Sequence, residues 1–194
     1  MQRLLLKPSK TAFFLCDIQE KFRPHIHQMT DVINTAKKMS EFSKLLNIPL
    51  IVTEQYPKAL GNTCAEIDIS HASIVSPKTL FSMVLPNVKG FLKSSDIKDV
   101  VLYGIESQVC ITQTALDLLS ENINVHILAD GISSINYGES KVAINRLREY
   151  CDISTSETVI FQLLKDAAHP KFKEASDLVK KFKHETNANK LLNQ

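Results

Sequence analysis

A carboxylate, an amine and a thiol, Asp17, Lys78 and Cys110, are the residues of this chain whose types and placement could do chemistry together. Cys110 follows the apolar run at residues 100–104 and stands where a helical pattern starts, with Ile111, Ala115, Leu118 and Leu119 at i, i+4, i+7 and i+8. A thiol at a helix N-terminus feels the positive end of the helix dipole, which favours the nucleophilic thiolate. Asp17 closes another apolar run, residues 11–16, and Lys78 follows a short one at residues 73–75. The three supply what cysteine acyl transfer needs. The thiolate attacks a carbonyl, the ammonium holds down the thiol pKa, and the carboxylate moves protons to the leaving group and from water. Each has a plainer alternative: Cys110 as a small buried hydrophobe, Asp17 as a turn cap, Lys78 as a solvated loop residue.

The elements that must position them alternate. Strands are expected at residues 11–16, 50–53, 73–75, 99–103, 124–129 and 152–154. Helices are expected at 31–46 (capped by Thr30), 88–94, from 111 onward, at 139–150, at 157–164 (capped by Ser156) and from His169 and Pro170 through Phe182, with a polar tail that frays. The stretch at 58–77 reads as an irregular excursion over the sheet. Strands that are apolar runs rather than alternations belong to a parallel sheet covered on both faces, so the fold class is α/β. A carboxylate at the C-terminal end of such a strand lies where open α/β sheets bind ligands. On strand alternation, Cys16 would point away from Asp17 and into packing, while His126 reads as structural and Asp130 as a turn cap.

Composition narrows the classes. A chain of 194 residues suits one domain spanning residues 1–194, with its core at about 11–183. A net charge of +2 calls for neither nucleic acid nor an acidic membrane surface, and the basic residues of the last helix alternate with Glu174 and Asp177 as a solvated face does. No apolar run approaches the ~20 residues of a membrane span. Cys16, Cys64, Cys110 and Cys151 are widely spaced, as befits free thiols in the cytosol. Nucleotide-binding glycine motifs and the serine-hydrolase elbow are absent, and no histidine cluster has zinc spacing, so neither cofactor nor metal is expected.

The wording around the three residues is more specific. The segments 14–22 (FLCDIQEKF), 77–83 (PKTLFSM) and 104–110 (GIESQVC) resemble the signature segments of the isochorismatase-like cysteine hydrolases, over about residues 11–164. Segments 53–57, 155–157 and 166–174 are most similar to the type 2 branch of the eukaryotic isochorismatase domain-containing proteins. The resemblance implies a Rossmann-like three-layer αβα sandwich with a mostly parallel sheet and a catalytic triad of Asp17, Lys78 and Cys110. It also implies a cis peptide at Ile105–Glu106 and an oxyanion hole from the backbone N–H groups of Glu106 and Cys110. The substrate would be a small molecule whose C–N bond is cleaved through a Cys110 thioester. By position, Gln19, Phe22, Tyr56 and Phe81 are expected to wall the pocket, and a homo-oligomer, dimer or tetramer, is expected. Nicotinamidases of this superfamily bind a metal through residues matching the region of Glu54, Gln55 and Tyr56, where this chain has no histidine. A nicotinamidase is therefore the lesser alternative, after a chain that keeps the fold but works through protein partners.

Overall fold

Continuous apolar runs make strands only where both faces are covered, and here they are. The computed structural model describes residues 5–192. Its sheet comprises β1 (Thr11–Cys16), β2 (Leu50–Gln55), β3 (Ile74–Lys78), β4 (Asp99–Ile105), β5 (Asn124–Ser133) and β6 (Asp152–Ser154), ordered β3-β2-β1-β4-β5-β6. All neighbouring strands are parallel. Every residue of β1 is buried: Phe13 and Leu15 enter one core, and Ala12, Phe14 and Cys16 the other. Helices α1 (Met29–Leu46), α6 (Ser156–Leu164) and α7 (Phe172–Lys181) cover the first face. Helices α3 (Pro86–Ser94), α4 (Thr112–Ser120) and α5 (Tyr137–Leu147) cover the second. The result is the expected αβα sandwich.

Chain direction across the sheet reverses between β1 and β4. In doubly wound sheets the crevice at this switch, outside the C-terminal strand ends, is where ligands bind. The loops leaving β1 and β4 diverge there, toward opposite faces.

Several boundaries differ from the sequence reading, each for a local reason. Helix α1 begins at Met29 after a left-handed Gln28, so Thr30 lies inside the helix. Strand β5 continues past Asp130 to Ser133, pairing Ile132 and Ser133 with Gly104 and Ile105 after a register shift between Leu102 and Gly104. Thr155, not Ser156, caps α6, its hydroxyl accepting from the Thr158 N–H. Asp130 accepts from the Ser156 N–H at 2.9 Å and from its hydroxyl, which fixes the start of that helix. His169 and Pro170 lie in a turn before α7. Residues 183–191 of the polar tail do not fray: α8 (Lys183–Ala188) follows, Leu191 is buried, and the Asn189 amide donates to the Asp130 carbonyl at 3.0 Å. The excursion at 58–77 includes one short helix, α2 (Pro57–Leu60), before β3.

Candidate active site

Three strand ends bring the sequence-predicted residues together. Asp17 immediately follows β1 with φ at 54°, a left-handed conformation that aspartate tolerates better than most residues. That turn breaks the strand alternation, so its carboxylate approaches the same side as Cys16 instead of the opposite one. Asp17 Oδ2 lies 2.7 Å from Lys78 Nζ, and Oδ1 accepts from the Thr53 hydroxyl at 2.8 Å. Lys78 is the last residue of β3 and is buried. Its ammonium also donates to Gln55 Oε1 at 2.6 Å and to the carbonyls of Leu80 and Phe81 at 3.0 and 2.9 Å, and it reaches Cys110 Sγ at 3.8 Å. Burial alone would lower the Lys78 pKa, but the acidic groups Cys16, Asp17 and Cys110 around it outweigh burial and raise it. A buried ammonium held by a carboxylate this close stays charged.

Cys110 arrives by a less regular route than a plain helix start. Residues Ser107–Ile111 form a π-helical turn before α4, in which the Glu106 carbonyl accepts from both the Val109 and Ile111 N–H groups at 3.1 Å. Cys110 therefore sits in a widened first turn, its carbonyl accepting from the Thr114 hydroxyl at 2.6 Å. Gly104 permits this turn to lie against β1. Its φ is 126°, and a Cβ there would collide with the Cys16 carbonyl. The Ile105–Glu106 peptide is cis. Beneath the turn, the Ser107 N–H donates to Ser134 Oγ at 3.1 Å, and the Ser140 hydroxyl bridges Ser107 Oγ and Ser134 Oγ at 3.0 and 2.8 Å.

The four residues expected to wall the pocket lie in different settings. Tyr56 is half exposed and lines a shallow depression of about 300 Å³ with Pro57, Lys58, Pro77, Lys78 and Thr79. Phe81 is also half exposed and lends its carbonyl to Lys78. Gln19 is wholly buried and works as a strut: its amide donates to the carbonyls of Gln55 and Gly61 and accepts from the Gln55 N–H at 2.7 Å. Phe22 packs against the core on the α1 face. Neither Gln19 nor Phe22 lines that depression. Two larger grooves, about 430 and 440 Å³, open near residues 119–125 between the helices and the starts of the strands, away from the three residues.

Three partners escaped the sequence reading. Thr53 and Gln55 are register neighbours of Cys16 and Lys78 across β1–β2 and β2–β3, so pairing strand ends would have found them. The third is Cys16, whose thiol donates to Asp17 Oδ2 at 3.5 Å. Cys16 Sγ, an Asp17 carboxylate oxygen and Cys110 Sγ all lie within 4.8 Å of one another.

The region matching the nicotinamidase metal ligands is Glu54, Gln55 and Tyr56. Glu54 is engaged by the Thr63 N–H and hydroxyl at 2.7 and 2.9 Å, Gln55 holds Lys78, and Tyr56 offers only a phenol. That set does not suit the metal of the nicotinamidases. Beside Asp17, the position a cation would take is filled by the Lys78 ammonium.

Residues 11–158 match the isochorismatase domain family. The chain belongs to that family. It is 45% identical to isochorismatase domain-containing protein 1 of Salmo salar over 177 residues, 90% of this chain but 62% of that protein. Against isochorismatase domain-containing protein 2A of Mus musculus the identity is 42%, covering 89% of this chain and 84% of the relative. Both branches of the domain-containing proteins are thus similar to it at nearly the same level. A solved structure described as the MAR1 ribonuclease of Caenorhabditis elegans superposes with a TM-score of 0.86 at 37% identity, over 90% of this chain and 91% of that one. No helix among the described residues is long and apolar enough to cross a membrane.

Proposed function

We propose that this isochorismatase-family protein is a cysteine hydrolase that cleaves an amide-type C–N bond of a small molecule through a thioester on Cys110. The observation that carries the reading is the buried chain of contacts from Asp17 to Lys78 at 2.7 Å and on to Cys110 Sγ at 3.8 Å, at the switch point of the sheet. Cys110 Sγ attacks the substrate carbonyl while Asp17 takes the thiol proton. The oxyanion is held by the backbone N–H groups of Glu106 and Cys110. Asp17 then gives its proton to the departing nitrogen, and the C–N bond breaks to leave the thioester. Water attacks next, losing its proton to Asp17, and the acid leaves as Cys110 takes the proton back. Throughout, the Lys78 ammonium is the counter-ion for whichever of carboxylate and sulfur is anionic.

Tyr56 and Pro57 form the apolar rim of the depression beside Lys78, Phe81 is assigned as a further wall, and Lys58 is an exposed cation on the edge. A cytosolic setting, where the four thiols stay reduced, fits this chemistry. A homo-oligomer burying the exposed Val75 and Leu80 is part of the same proposal, and sedimentation at micromolar concentration tests it. The test of the function is release of amine from a panel of small amides and ureas, with esters and RNA alongside. Turnover of a C–N substrate that Cys110→Ala abolishes supports the reading. RNA cleavage that survives Cys110→Ala, with no small-molecule turnover, would overturn it.

A further inference from the structure

The mechanism above leaves Cys16 without a task, although it is packed into the same site. Its sulfur is within 4.8 Å of Cys110 Sγ, so at most about 3 Å of travel, shared by two side chains, would close the ~2 Å of an S–S bond. We propose that Cys16 is a resolving thiol for Cys110, so that oxidation of Cys110 by a hydroperoxide ends in a reversible Cys16–Cys110 disulfide. The proposal does not depend on Cys110 being a hydrolytic nucleophile.

The two thiols differ in ways that assign their roles. Cys110 retains 6% exposure, whereas Cys16 has none. A small oxidant therefore meets Cys110 first, and does so beside the Lys78 ammonium. Burial pushes the Cys16 thiol well above its usual range, aided by its hydrogen bond to Cys110 and by the Asp17 charge. Cys16 is thereby kept as a protonated thiol, itself unreactive toward peroxide, with a base in contact. Neither other cysteine competes: Cys64 packs in the core on the α1 face, and Cys151 lies at the N-terminal end of β6.

In the first step the Cys110 thiolate attacks one peroxide oxygen. The S–O bond forms, the O–O bond breaks, and the second oxygen leaves as an alcohol or water, taking from Asp17 the proton that the Cys110 thiol had given up. Cys110 is oxidised by two electrons to the sulfenic acid and the hydroperoxide is reduced. In the second step Cys16 Sγ attacks the sulfenic sulfur as its proton passes to Asp17 Oδ2, 3.5 Å away. The S–S bond forms, the S–O bond breaks, and the hydroxide leaves as water with that proton. A dithiol restores both thiols by two exchange steps. Without Cys16 the sulfenic acid has no partner and proceeds to the sulfinic acid, which dithiols do not reverse.

The experiment treats the full chain with graded hydrogen peroxide, followed by thiol titration and non-reducing peptide mapping. Expected are the loss of two of the four thiols, a linked pair of peptides carrying Cys16 and Cys110, and full recovery with dithiothreitol. In Cys16→Ser, Cys110 should pass to the sulfinic acid and stay there. Cys16→Ala, which brings no hydroxyl into the core, checks the same point should the serine disturb folding. Sulfinic acid on Cys110 of the unaltered chain, formed while Cys16 keeps its free thiol, would overturn the proposal.

Discussion

At the scale of single residues, the site is held by charge rather than by shape. Asp17 and Lys78 are both almost fully buried, and a buried ion pair adds little net stability while its rupture is costly, because one charge is left uncompensated. Lys78→Met should therefore cost about 3–5 kcal/mol in urea unfolding. The double change Asp17→Asn with Lys78→Met should recover much of that loss, although neither protein turns over substrate. Additive losses in the double variant would mean the pair is not coupled. The thiols offer a second residue-level expectation. Cys151 is more exposed than Cys110, yet burial and Asp152 push its thiol up to about 11. With iodoacetamide near neutral pH, Cys110 should be alkylated before Cys151, and the reverse order would remove Lys78 from its assigned role.

At the scale of elements, what was legible in the sequence is what burial on two faces imposes. The apolar runs of β1 and β4 announce themselves, and the charged residue that ends each run lies near the site because strand C-termini converge there. Less legible is whatever depends on contacts between elements. The left-handed Asp17 rotates its side chain toward Cys16, and nothing within residues 11–17 signals that turn. The π-helical turn at Ser107–Ile111 rests on the serines of a neighbouring loop and α5, and the boundaries of β5 depend on a register shift against β4. His126 is a clearer case of reading by position. Buried within β5, it lies 3.0 Å from Asp152 on β6 and 3.3 Å from Asp99 on β4, and so ties three strands. Burial opposes its charge, but the hydrogen bonds and charges of the two carboxylates prevail and raise its pKa. The folded value thus exceeds the ~6.5 of the unfolded chain, so this stabilisation is complete below ~6.5 and is lost as pH rises through the folded value. The difference in urea midpoint between the unaltered chain and His126→Asn should shrink across that range. A difference independent of pH would contradict a charged His126.

At the scale of the whole molecule, the two layers of helices do different work. The α3–α4–α5 side carries Cys110 and its supporting serines, while the α1–α6–α7 side is a deep core joined by Phe182 and Leu191. Lys38 of α1 is buried under α8, donating to the Thr186 hydroxyl at 2.9 Å, and burial lowers its pKa against the pull of Asp130, Glu157 and Glu185. A polar tail read from composition alone gives no hint of this closure, because among the described residues after Phe182 only Leu191 supplies a buried apolar anchor. Leu191→Ala should cost about 2 kcal/mol, and an unchanged unfolding midpoint would mean the tail does not dock in solution. Within this frame the proposed hydrolysis runs through one sulfur atom, Cys110 Sγ. Intact-protein mass spectrometry after brief incubation with a metabolite extract and acid quenching tests it most directly. The expected result is an acyl adduct that maps to Cys110, decays on continued incubation, and is absent from Cys110→Ala. Turnover of the same extract with no adduct on Cys110, or with the adduct on another residue, would contradict it.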